Sequence, residues 1–87
     1  MEWNKTIELM NSENYKDRFI AEYWQTKIRY EKLKDFCNRI EAARVSDSEE
    51  PVHNCSLSIL RQQQSIMGEY LHILEVRAVI EKIKLGV

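Results

Sequence analysis

Two glycines, Gly68 and Gly86, and a single proline, Pro51, are all that 87 residues offer for turning the chain. So few punctuating residues exclude a glycine-rich phosphate loop and the close backbone approaches that many catalytic sites need. There is no nucleophile-elbow motif and no carboxylate pair isolated in an apolar stretch, so the reading is of a binder and not of an enzyme. No uninterrupted apolar run approaches the roughly 20 residues of a membrane helix. Glu2, Asn4, Lys5 and Glu8 leave no room for a signal-peptide core. A soluble, intracellular protein is expected. Two cysteines, Cys37 and Cys55, are too few for a disulfide scaffold and should be reduced. A formal net charge of −1 gives no global pull toward DNA, RNA or an anionic membrane.

What is present is periodicity. Phe19, Tyr23, Thr26, Tyr30, Leu33, Cys37 and Ile40 step through the chain at alternating spacings of four and three, the signature of a coiled-coil seam. Leu57, Leu60, Gln64, Met67, Leu71, Leu74 and Ala78 repeat the pattern. Between them VSDSEEPVHN is acidic, serine-rich and holds the proline, so it reads as a loop. Asn14 can cap the first long helix, and Asp17 suits its positive end. Trp3, Ile7 and Met10 at helical spacing suggest a short lead-in helix, unstable on its own. The expectation is one all-α domain over 1–87: a lead-in helix over 1–12, a long helix over 14–44, a loop over 45–55 and a long helix over 56–84. Near-equal helices on a short connection fold into an antiparallel hairpin.

Two helices leave apolar surface over. Ile59, Ile66, Tyr70, Ile73 and Ile80 form a second face on the last helix, and Ile20, Trp24 and Ile28 flank the seam of the first. Each exposed Leu- or Ile-sized group forgoes about 1.5–3 kcal/mol of burial. The lead-in helix can cover one such face, and the rest argue for an even-numbered homo-oligomeric helical bundle.

Candidate chemistry gathers at a few places, each with an ordinary structural alternative. Asn14, Tyr15, Lys16, Asp17 and Arg18 put an aromatic ring and two cations at a helix start, a setting for phosphate and base or simply a capped terminus. Arg77 lies among Leu74, Val76, Ala78, Val79 and Ile80, with Glu81 or Glu75 within reach. It is either a bidentate phosphate ligand or half of a structural ion pair. Gln64 interrupts its stripe, as a polar layer opposite Thr26 or as an amide that reads a purine. Tyr23 and Tyr70 fit a core or a stacking platform. From Asn14 to Arg44 eight basic residues stand against five acidic, mostly as an ordinary solvated helix face. His53 and Cys55 have H-x-C spacing, too little for a metal site without a C-x-x-C, so no metal or cofactor is expected.

The stretch NYKDRFIAEYWQTKIRYEKL, the H-x-C, and then LRQQQSIMGEYLHILEVRAVIEKIKL resemble small helical proteins of phages and prophages. They are similar to the helical-hairpin domain of anti-CBASS and anti-Thoeris sponge proteins, across most of residues 14 to 85. The resemblance implies a homo-oligomer, hexamers included, that sequesters a cyclic dinucleotide, cyclic trinucleotide or cyclic ADP-ribose-type messenger at subunit boundaries without cleaving it, in the cytoplasm of an infected bacterium. It implies that Asn14, Tyr15 and Arg77 face the ligand and that a lysine, Lys27 ahead of Lys16, neutralises phosphate. The chain departs from the group at its end, reading Glu81, Lys82, Ile83, Lys84 where a glycine and an acidic residue are expected. The alternative function is a helical interaction module that inhibits a host defence protein or serves as a small structural phage protein.

Overall fold

The computed structural model describes residues 1–86. Among them are three helices and no strand: α1 (Trp3–Met10), α2 (Tyr15–Val45) and α3 (Leu57–Glu81). α2 begins where the sequence supplies a cap. The Asn14 side chain accepts from the Lys16 amide at 2.9 Å, and Asp17 sits in the first turn, where unpaired amides favour an acid. The preceding turn is tied by polar groups. The Ser12 hydroxyl donates to Asp17 at 2.7 Å and Arg18 Nη1 donates to the Ser12 carbonyl at 2.8 Å.

The 31 residues of α2 run roughly 46 Å at the usual helical rise. The molecule is accordingly elongated, 49 × 25 × 20 Å. Its radius of gyration is 15.8 Å, against about 12 Å for a compact globule of this length. α2 stops at Val45 with Asp47 in the left-handed region at φ 56° and the Ser48 amide donating back to the Ala43 carbonyl at 2.8 Å. The loop is then clamped by side chains. Glu50 accepts from Arg44 Nε at 3.1 Å and meets His53 Nε2 at 3.0 Å, while His53 Nδ1 lies 2.8 Å from the Cys55 carbonyl. The H-x-C motif is thus part of a loop latch. Ser56 caps α3 by accepting from the Ile59 amide at 3.3 Å.

α2 and α3 run antiparallel: Tyr15 reaches Glu81, Tyr23 reaches Glu75, and Arg61 reaches back to Asn38 and Glu41. This register places Gln64 level with Leu33 and Lys34, not with Thr26. Gln64 accepts from Arg61 Nη1 at 2.7 Å, so the polar break in the stripe is satisfied within α3. Gly68 lets Tyr30 come close, since a Cβ there would stand 3.3 Å from the ring. Phe19, Tyr23, Leu71, Leu74 and Ala78 form the core at the end of the hairpin away from the loop, with Cys37, Ile40 and Ala43 buried toward the other end.

α3 ends at Glu81, short of the expected 84. Lys82 adopts φ 56° and ψ 46°, and the Ile83 amide donates to the Ala78 carbonyl at 2.8 Å, a left-handed helix stop. Turning the chain back puts Ile83 and Leu85 into the core, where a straight helix would carry them past its end. Trp24 Nε1 fastens the returning chain by donating to the Leu85 carbonyl at 2.6 Å. α1 packs on α2 and not on α3. Its one buried residue is Thr6, whose hydroxyl accepts from Gln25 Nε2 at 3.0 Å, and Arg29 lies over the Trp3 ring at 5.6 Å. Trp3, Ile7 and Met10 remain partly exposed.

Candidate functional site

The start of α2 and the last turns of α3 meet at the end of the hairpin opposite the loop, and there side chains far apart in sequence converge. Arg77 lies with its guanidinium carbon 4.8 Å from the Phe19 ring centroid, a cation–π contact that sets the head group on an apolar base. Its Nε donates to Glu81 at 2.8 Å, one helical turn on, and the Tyr15 hydroxyl donates to the other oxygen of the same carboxylate at 3.2 Å. Among the described residues no other hydrogen bond engages Arg77, which leaves both Nη groups without a protein partner. The adjacent turn continues the cluster, because the Tyr70 hydroxyl donates to Glu22.

Charge follows geometry. Hydrogen bonding from Arg77, opposed by some desolvation and helped by Tyr15 and by the charge of Lys16, holds Glu81 below its ordinary value. The same bond raises Arg77. Desolvation first, and then the bond to Glu81, raise the Tyr15 phenol; the bond to Glu22 first, and then desolvation, raise Tyr70. At neutral pH the site therefore holds a guanidinium, a carboxylate bound to it, and two neutral phenols. Glu81 occupies part of the fork that a phosphate oxygen would take, so an incoming anion competes with an internal one. The arrangement presents planar rings suited to stacking and one planar cation suited to an anion.

Of the sequence-predicted site residues, Tyr15 and Arg77 are brought together, with Lys16 near enough to act on Glu81. Asn14 lies at the same end, with its side chain engaged as the helix cap, and Arg18 is turned to the Ser12 carbonyl. Lys27 lies elsewhere. It pairs with Glu31 at 3.7 Å, and three helical turns, roughly 18 Å, separate it from Tyr15 along α2. Glu75, the other acid considered for Arg77, instead accepts from Tyr23 at 2.7 Å. Desolvation and that bond push the Tyr23 phenol up to about 12. Phe19, Glu22 and Tyr70 were missed as members of this cluster. Phe19 read only as a seam residue, and nothing local pairs Tyr70 with a residue 48 positions away.

A second concavity lies midway along the hairpin, an open cleft of about 780 Å³ lined by Tyr30, Arg61, Gln64, Gly68, His72 and Ile73 among others. Its arginine is already committed to Gln64, Asn38 and Glu41, which makes it a poorer anion site than Arg77.

An all-helical hairpin, with an aromatic and guanidinium cluster at the end opposite its loop, is the class that the fold defines. The model of the Sequestin family matches residues 13–80, which takes in α2, the loop and nearly all of α3, and the protein belongs to that family. No curated protein and no solved structure matches the chain. α1 lies outside the matched residues, whereas Tyr15, Lys16, Phe19, Tyr70 and Arg77 lie inside them.

Proposed function

We propose that this protein is a non-catalytic sponge that binds and sequesters a cyclic nucleotide immune messenger, in the cytoplasm of a bacterium infected by the phage that encodes it. The family name, Sequestin, supports sequestration. The observation that carries the ligand class is the convergence of Tyr15 and Arg77 over Phe19, with Glu81 bridging them. In this reading Arg77 exchanges Glu81 for a phosphate, Tyr15 stacks on a base, and Lys16 adds charge. Asn14 and Arg18 keep the helix start in shape beside the phosphate. Lys27 joins only from a neighbouring copy, in a homo-oligomer of even number. Because nothing is turned over, each pocket removes one messenger, so the protein acts only at a concentration comparable to the signal.

Isothermal titration against cyclic di- and trinucleotides and cyclic ADP-ribose isomers tests this. At least one of them should bind with defined stoichiometry, and Arg77→Ala should weaken binding at least tenfold, a loss of about 1.4 kcal/mol or more. Comparing Lys16→Ala with Lys27→Ala identifies the lysine that supports phosphate. Silence across the panel from a folded protein ends the proposal. One observation favours a second reading: the partly exposed Trp3, Ile7 and Met10 of α1 offer an apolar side to a host protein. Stoichiometric capture of one host protein, with a melting temperature that no nucleotide moves, would support it.

A further inference from the structure

α3 ends on an acid. Glu81 is its last residue, with no basic residue in the final turn, although the unpaired carbonyls of a helix C-terminus favour a cation there. Arg77 followed by Glu81 is also the weaker order for a charge pair four residues apart, since the acid does more for a helix when it comes first. Helix stability therefore does not account for this carboxylate.

What it does is occupy the cluster. Tyr15 holds one of its oxygens at 3.2 Å and Arg77 Nε the other at 2.8 Å, so the two proposed ligand contacts bear on a single side chain. Its backbone is fixed by the helix stop, where Lys82 is left-handed and the Ile83 amide donates to the Ala78 carbonyl, so that only the side chain is free to swing. Two cations, Lys16 and Arg77, stand in the cluster with two carboxylates, Glu81 and Glu22. Glu22 is held by Tyr70 and is close enough for its charge to act on Arg77, as Lys16 acts on Glu81. The cluster thus has no excess of positive charge with which to draw an anion from solution.

We propose that Glu81 is a threshold residue, an internal anion that keeps single phosphates off Arg77 and so restricts the cluster to ligands that bring a ring for Tyr15 together with a phosphate. A phosphate that approaches Arg77 through Nε must displace the carboxylate. One that takes the two Nη groups end-on stands beside it, and like charges repel. Either route weakens every anion by a similar factor, but the consequence differs with the ligand. A free phosphate has one weak contact and drops out, whereas a ligand that also stacks on Tyr15 keeps affinity to spare. The threshold matters because inorganic phosphate abounds in any cell, and a stoichiometric binder whose pockets it fills has none left for its target. The nature of that target rests on the function proposed above; the exclusion of simple phosphate does not.

Inorganic phosphate is the probe, titrated by calorimetry at constant ionic strength, with the Arg77 Nε–H resonance as the reporter of the site. The wild-type resonance should stay in place through millimolar phosphate. Glu81→Gln, which keeps an acceptor for Tyr15 and removes the charge, should bind phosphate about fivefold more tightly or better, the scale of one partly exposed charge pair. The double variant Arg77→Ala, Glu81→Gln should lose that gain. Circular dichroism is the folding control, and removing an acid from this end of the helix should leave helicity intact; should Glu81→Gln unfold, the wild-type resonance decides alone. A wild-type resonance that shifts and saturates in millimolar phosphate, a folded Glu81→Gln without a gain, or a gain that survives the loss of Arg77 overturns the proposal. A threshold found in a protein that binds no cyclic nucleotide keeps Glu81 in this role and removes the sponge.

Discussion

The imidazole of His53 faces acceptors on both sides, a backbone carbonyl at Nδ1 and a carboxylate at Nε2. A neutral ring has one N–H to give, so only the imidazolium satisfies both. The Cys55 carbonyl, and then Glu50, accordingly hold His53 above its ordinary 6.5. The His53 hydrogen bond first, with Arg44 assisting, holds Glu50 below its ordinary 4.5. The signs then follow. The histidine contribution is complete below pH 6.5 and is lost as pH rises through the raised folded value, whereas the glutamate contribution is present above pH 4.5 and is lost as pH falls through the lowered one. The loop latch should be firmest between those limits. Urea midpoints taken from pH 5.5 to pH 8 should fall more steeply for the wild type than for His53→Gln, and equal slopes would show that the latch does not contribute. At this scale the sequence told as much as its local spacing allowed. The Arg77–Glu81 pair is one helical turn apart and could be seen in advance. Tyr23 with Glu75, and Tyr70 with Glu22, depend on the register of the hairpin, which no local pattern encodes.

Helix existence was legible because three signals agree: a repeat of four and three, Asn14 at the start of the first long helix, and Pro51 in the gap. The end of α3 was not, because Ile80 to Leu85 contains no glycine or proline and continues to look helical. The stop comes from distant contacts, the burial of Ile83 and Leu85 and the Trp24 bond to the Leu85 carbonyl, which outweigh the left-handed backbone of a lysine. That conformation costs a non-glycine residue about 1–2 kcal/mol. Lys82→Gly should therefore raise unfolding free energy by about 1 kcal/mol, reduced somewhat by the extra freedom of glycine in the unfolded chain. Denaturant titration measures it. A decrease would mean that the lysine side chain holds the turn by contacts of its own. The same competition explains Gly68, a helix-weakening residue in the middle of α3 that gives Tyr30 its place against the helix.

On the scale of the whole molecule, α2 is the spine to which everything else attaches. The α2–α3 seam holds the core cluster, while α1 packs on the spine alone, with Thr6 buried and bonded to Gln25 and Arg29 stacked on Trp3. With no foothold on α3, α1 is expected to open as a smaller cooperative unit of its own. Native-state hydrogen exchange should therefore register two populations of amides. Those of residues 3–10 would surrender deuterium protection in a low-energy opening, while those along Tyr23 to Ile40 and Leu71 to Ala78 wait for global unfolding. A single common exchange free energy would show instead that the arm and the hairpin melt as one. With two such populations the lead-in helix would be an arm on a rod, able to lift away while the cluster at Tyr15 and Arg77 stays assembled.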